Sequence, residues 1–298
     1  MTAPIASSGG RGDAEIAARG FQRYDGPRSG VSGAVRSVMW QSIRATLGLG
    51  RPARHKIFPI ASVGIAYIPA IAFVGLAVLL PENVLDPNEI ATYSDYYGVI
   101  VLAIVLFAAL VAPEALVTDR RNGMLAMYLS TPLSRGTYIA AKVLAVGFTL
   151  ALVTLGPPLL MLIGYTVDGS GPDGVGNWLL TLIRLLVSAL AVSAAITAVS
   201  LGISSITDRR AFASIGFVLV FFVSSGLAGA LVEGAGMSPN WWLIDLSTDS
   251  FELVTRIYGD PGAVPELGVL PLVGANLAWT ALGAGIVWWR YSRLVIAR

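Results

Sequence analysis

"TDRRNGMLAMYLSTPLSRGTYIAAK", residues 118–142, interrupts a chain that is otherwise oily enough to live in lipid. It carries Asp119, Arg120, Arg121, Arg135 and Lys142, with Gly123 and Pro132 between them. Apolar runs long enough to cross a bilayer lie on both sides. The stretch therefore reads as a polar elbow between two membrane crossings, and that reading sets the fold as a polytopic bundle.

Composition points the same way. Of 298 residues, 55% are hydrophobic and 13% charged, with mean hydropathy +0.72. A soluble domain carries about 25% charged residues, so this chain cannot cover a water-facing surface. Having no cysteine, it excludes disulfides, thiolate metal sites and cysteine nucleophiles. Its single histidine, His55, excludes an imidazole metal cluster and reads as an interfacial cation among others.

A membrane helix needs roughly 20 mostly apolar residues. Six stretches qualify: 57–80, about 95–113, about 138–164, about 180–205, 211–232 and 271–289. Tyr96, Tyr97, Trp288 and Trp289 at span ends suit headgroup-level aromatic belts. Pro59, Pro69, Pro157 and Pro158 fall inside spans, where only packed neighbours can re-satisfy the freed backbone groups. The expected fold class is an all-α polytopic membrane protein with six transmembrane helices.

Orientation follows from Lys and Arg. Residues 1–56 carry nine, 114–137 carry three, 206–210 carry two and the tail after span six carries three. The opposite loops, 81–94, 165–178 and 233–270, carry only Arg256. The positive-inside rule then places both termini and the elbow in the cytoplasm, in the inner (plasma) membrane of the cell. Arg184 fits neither side cleanly. It is either a snorkelling residue at the outer interface or an intramembrane charge with a function.

Residues 1–30 are rich in Gly, Ser, Arg and Ala and read as a disordered cytoplasmic tail. In 31–56, Val31, Val35, Val38, Met39, Ile43 and Leu47 share a helical face opposite Arg36 and Arg44, with Trp40 between. That pattern predicts an interfacial amphipathic helix followed by a turn into span one. Residues 57–298 form the six-span domain. Between spans five and six, "STDSFELVTRIYG" (247–259) predicts a short helix with Phe251, Val254, Ile257 and Tyr258 on one face. Asp249, Glu252 and Arg256 should keep it from crossing lipid, so it lies on the outer surface or dips in, as a cover or as a lid.

The elbow has local structure of its own. Glu114 follows Pro113 where span two should leave the membrane, and Thr118 or Asp119 can cap a short helix. Leu125, Tyr128 and Leu129 form an apolar ridge at i, i+3, i+4. Pro132 forbids simple continuation, and Ser134 can cap the helix that becomes span three. Such a loop is either a tight connector whose arginines enforce orientation or a stiff element that transmits force.

This stretch resembles the coupling-helix region of ABC-2 type exporter permeases. The matching positions are Asp119, Arg120 or Arg121, Gly123, Leu125, Leu129, Thr131, Pro132, Leu133, Ser134, Arg135 and Lys142. With the topology, the resemblance covers most of residues 31–298. It implies a permease subunit of an ATP-driven exporter that forms the translocation pathway as a dimer, with a second copy or a homologue. Two separate cytoplasmic ATPase subunits, which carry ATP and Mg, would dock on the elbow through Glu114, Asp119, Arg120, Arg121, Gly123, Leu125, Tyr128, Leu129, Pro132, Ser134 and Arg135. Phe217, Phe221 and Phe222 of span five are the pathway candidates. Expected partners are those subunits and membrane lipid, and no nucleic acid.

The chain itself offers no phosphate-cradling loop. Its only lysines, Lys56 and Lys142, lie outside any G-x-x-x-x-G-K-[ST] pattern. No catalytic residue, metal site or cofactor on this chain is expected. The alternative is an ion-coupled carrier or channel, against which the scarcity of carboxylates within the spans argues.

Overall fold

A computed structural model describes residues 26, 29–50, 52, 53, 56–79 and 92–294. The expected N-terminal tail up to residue 25, His55 and loop residues 80–91 lie outside the described residues. Every regular element among those described is helical, and six helices are long and apolar enough to cross a membrane: Ile57–Leu79, Val101–Arg121, Arg135–Asp168, Gly174–Ile206, Arg210–Gly234 and Val269–Arg293. We refer to these as spans one to six. Before them comes α1 (Gly30–Thr46), and span one is α2 (Ile57–Leu79). A short α3 (Tyr93–Val99) leads into span two, and α3 is capped by Thr92, whose hydroxyl accepts the Asp95 N–H at 3.2 Å.

Span two differs from expectation. It does not stop at Pro113 but runs to Arg121, as α4 (Val101–Leu106), a π turn (Phe107–Val111) and α5 (Glu114–Arg121). Proline removes one N–H and crowds the carbonyl four residues back. The π turn absorbs this, with Ala112 N–H donating to the Phe107 carbonyl at 3.1 Å. Span four supplies a further donor to the bulge, since the Ser200 hydroxyl reaches the Ala108 carbonyl at 2.7 Å. In lipid, such partners must come from the protein. One consequence corrects the expectation of nearly acid-free spans: Glu114 and Asp119 ride on a spanning helix, and both are buried.

Span two is also the centre of the bundle. Of its apolar stretch 72% is buried, against 22% for spans one and five and 17% for span six. Span three is two helices, α7 (Arg135–Thr154) and α8 (Gly156–Asp168), kinked where Pro157 and Pro158 forbid an unbroken ladder. The Thr154 hydroxyl at the kink pairs with Ser193 of span four at 2.9 Å. Span four is α9 (Gly174–Ile206), span five is α10 (Arg210–Gly229) with a closing π turn, and span six is α12 (Val269–Arg293). Spans four and six approach so closely that a Cβ on Gly283 would fall 2.3 Å from the Ala198 backbone. Lipid gives no hydrophobic drive to join helices, so small residues that admit close packing are the natural glue.

At the end away from the elbow, a 3-10 turn (Pro239–Ile244) precedes α11 (Leu246–Tyr258). The expected helix is present, starting one residue earlier than Ser247, with Asp245 as its cap. Val254 is buried, while Phe251, Ile257 and Tyr258 are half-buried. Asp249, Ser250 and Glu252 are buried as well. The helix is tucked between spans four, five and six, so its polar residues face protein rather than water.

Candidate functional site

The elbow is built from three short pieces. Helix α5 ends at Arg121. Gly123 then takes a left-handed conformation, φ +64°, which a side chain would resist, and so turns the chain into α6 (Met124–Leu129). Ser134 starts α7 with a reciprocal cap: its hydroxyl accepts the Thr137 N–H at 3.2 Å, and its own N–H donates to Thr137 Oγ1 at 2.9 Å. The expected cap at Ser134 is thus in place. Thr118 and Asp119 lie inside α5 instead of starting a helix.

Four charged residues of the elbow each hold a different span. Asp119 Oδ2 takes the Lys142 ammonium of span three at 2.6 Å and the Tyr138 hydroxyl at 3.0 Å. That ammonium lies 5.5 Å from the Tyr138 ring centroid and 5.8 Å from that of Tyr128. Arg120 reaches the last turn of span four, donating to the carbonyls of Ser204, Ser205 and Thr207 and pairing with Asp208 at 3.0 Å. A helix leaves its final carbonyls without partners, and a guanidinium there satisfies them and complements the negative helix end. Arg135 does the same for span six, donating to the Ser292 carbonyl at 2.6 Å and the Tyr291 carbonyl at 3.2 Å. Glu114 pairs with Arg210 at the first turn of span five. Thus one short segment is ionically or hydrogen-bonded to spans three, four, five and six.

These contacts redistribute the predicted site residues. Glu114, Asp119 and Arg120 face inward, and their bonds are to other spans. Leu125 and Tyr128 are half-buried against a core that contains Leu116, Leu133, Tyr138 and Val38 of α1; Leu129 is half-buried too. Arg121, Gly123, Pro132 and Ser134 are exposed. The outward face of α6 carries Ala126 and Met127, the latter 55% exposed, continuing into Ser130 and Thr131. Beside it, a groove of about 960 Å³ separates α6 from α1, lined by Gly30, Gly33, Ala34, Met127, Thr131 and Pro132. Helix α1 lays Val38 and Ile43 against the bundle and leaves Trp40 57% exposed. Of the span-five phenylalanines, Phe217 and Phe221 are buried in the bundle core and Phe222 is 61% exposed.

Sequence reasoning missed the partners Asp208, Arg210, Ser204, Ser205 and Tyr138. The positions of Asp208 and Arg210 at the end joining spans four and five offered a signal, because the topology returns that corner to the elbow.

Six apolar helices, a core built around span two and a structured polar elbow define a multi-pass membrane protein. The sequence matches the family described as ABC-2 family transporter protein over residues 16–241, and the chain belongs to that family. It is also 28% identical over 283 residues to the "Probable ABC transporter permease protein NosY" of Pseudomonas aeruginosa, with 87% of this chain and 96% of that protein covered. Family membership makes the chain a membrane subunit of an ABC transporter and implies ATPase subunits beside it.

Proposed function

We propose that the chain is the pathway-forming permease of an ATP-driven exporter, working as a dimer with itself or a homologue and driven by two cytoplasmic ATPase subunits. ATP and Mg belong to those subunits. The single observation that carries this reading is the elbow's division of faces. Glu114, Asp119, Arg120 and Arg135 are bonded to spans three to six, while among the described residues Ala126, Met127 and the groove against α1 remain open. A subunit seated on that open face would move spans three to six by moving one rigid corner.

The exposed arginines Arg121, Arg209, Arg210 and Arg293 gather at the elbow end, which supports a cytoplasmic elbow in the plasma membrane. Spans one and five leave apolar faces open, with Ile60 64% and Phe222 61% exposed, as a second copy or lipid requires. Exposure of Phe222 on span five supports it, rather than the buried Phe217 and Phe221, as the phenylalanine of a pathway between two copies.

Co-purification tests the reading. The full chain is expressed with its ATPase subunit and pulled down, native and with Ala126→Arg. Retention of the ATPase by the native chain and its loss from the variant, with the variant still inserted, is the expected result. Equal retention by both would remove the proposed docking face.

A further inference from the structure

The end of the bundle opposite the elbow holds a carboxylate that no described cation balances. Asp249, on α11, is 0% exposed, and no described donor gives either carboxylate oxygen a hydrogen bond of good geometry. Asn276 of span six, 5% exposed, has an unpaired Nδ2 and is the side chain that bears on this carboxyl. Ser250, next along α11, is equally buried with an unpaired hydroxyl. Buried polar groups are nearly always paired, so three together mark a place where the structure has a second arrangement or a further occupant.

No described cation reaches Asp249. On its own helix, Arg256 is held by Glu252 at 3.4 Å and by the carbonyls of Asp260, Val264 and Leu267. Glu252 accepts the N–H groups of Ala263 and Val264, and Asp245 is occupied by Ser247 and Thr248. From span four, the Arg184 guanidinium stacks on Tyr258, 5.9 Å from its ring centroid, nine residues further along α11. From α3, Asp95 takes the Thr92 hydroxyl. Span five contributes the Ser224 hydroxyl, which accepts the Leu246 N–H, and, in its closing π turn, the carboxylate Glu233, which shares a pocket with Ser247, Thr248 and Glu252; the 3-10 turn carries no titratable group.

We propose that Asp249 and Asn276 form a proton-operated latch holding α11 down on span six. An anion buried without a donor or counter-ion is costly. A neutral acid can instead give its proton to Asn276 Oδ1 and accept from Nδ2, which satisfies both side chains. Burial pushes the Asp249 carboxyl up to about 8, opposed by the Asn276 amide and reinforced by the charge of Asp245. The sign follows from linkage. The packed state holds its proton up to about pH 8, whereas the exposed carboxyl releases it near pH 4. Opening is therefore favoured increasingly as pH rises between those values and levels off above. With the orientation proposed above, the latch reads the pH outside the cell; its existence does not depend on that orientation.

Hydrogen exchange of residues 246–258 in the full chain, reconstituted in nanodiscs and corrected for intrinsic rates, tests the proposal between pH 5 and 9. Native α11 should lose protection about tenfold per pH unit up to about pH 8, then level. Asp249→Asn should stay protected throughout. Asn276→Leu should lose protection already at pH 5, while span four keeps its own. A flat native profile, or the same slope in Asp249→Asn, would overturn the proposal. So would an Asp249→Asn helix unprotected at every pH, since that result means the anion, with a bound cation, is the latched form.

Discussion

Asp119 and Lys142 lie 2.6 Å apart, the carboxylate side chain 10% and the ammonium 4% exposed, and join the end of span two to span three. Burying two charges costs several kcal/mol per ion, which their attraction repays only with good geometry and added hydrogen bonds. Here the Tyr138 hydroxyl and two aromatic rings supply those extras. Removing one partner should therefore hurt more than removing both. Asp119→Ala is expected to cost about 3–5 kcal/mol, because it strands Lys142. The double variant Asp119→Leu with Lys142→Met should recover most of that. Unfolding of the purified chain in mixed detergent checks both; equal losses would show that the two charges act independently.

Arg120 gives a second prediction. Its planar fork serves three carbonyls and a carboxylate at the end of span four. A lysine is a point charge and cannot reproduce that pattern. Arg120→Lys should free the last turn of span four, seen as lost hydrogen-exchange protection at residues 202–207, nearly as much as Arg120→Ala. Full protection in the lysine variant would mean that charge alone holds the corner.

A third concerns the contact between spans four and six. A Cβ on Gly283 meets backbone atoms of Ala198 at 2.3 Å, and backbone cannot rotate away. Gly283→Ala should push the two helices apart and cost about 1–3 kcal/mol through overpacking. Gly285→Ala, where a Cβ meets nothing within 4 Å, is the control and should be close to neutral. Matching thermal transitions for the two variants would contradict the close approach.

A fourth separates the faces of α6. Met127→Asp alters an exposed side chain and should abolish ATPase binding with the chain's own stability changed by less than about 0.5 kcal/mol. Leu125→Asp places a charge against the inner core and should lower stability itself. Measured side by side, a destabilised Met127→Asp would show that this face is already covered within the chain.

Much of this was legible beforehand. Composition and run length gave the six spans, and local chemistry gave the Ser134 cap and the helix after Asp245. The elbow's location was plain from its charges. What those charges touch was not. An apolar ridge at Leu125 and Tyr128 looks the same whether it meets a partner or its own bundle. Pro113 looked like a terminus because the compensating donor, Ser200, lies 87 residues away in sequence. Glu252 and Asp249 read only as charges that keep the helix from crossing lipid, because spacing alone cannot reveal that spans four and six close over them.

The central claim is that an ATPase grips the elbow's outward face. The chain has no cysteine, so a single Met127→Cys is a clean reporter. In membranes containing the assembled transporter, a short bifunctional thiol reagent should join Met127→Cys to a cysteine on the ATPase, and Thr248→Cys at the far end should remain unjoined. An active transporter in which Met127→Cys reacts freely with small thiol reagents but never joins the ATPase would contradict it.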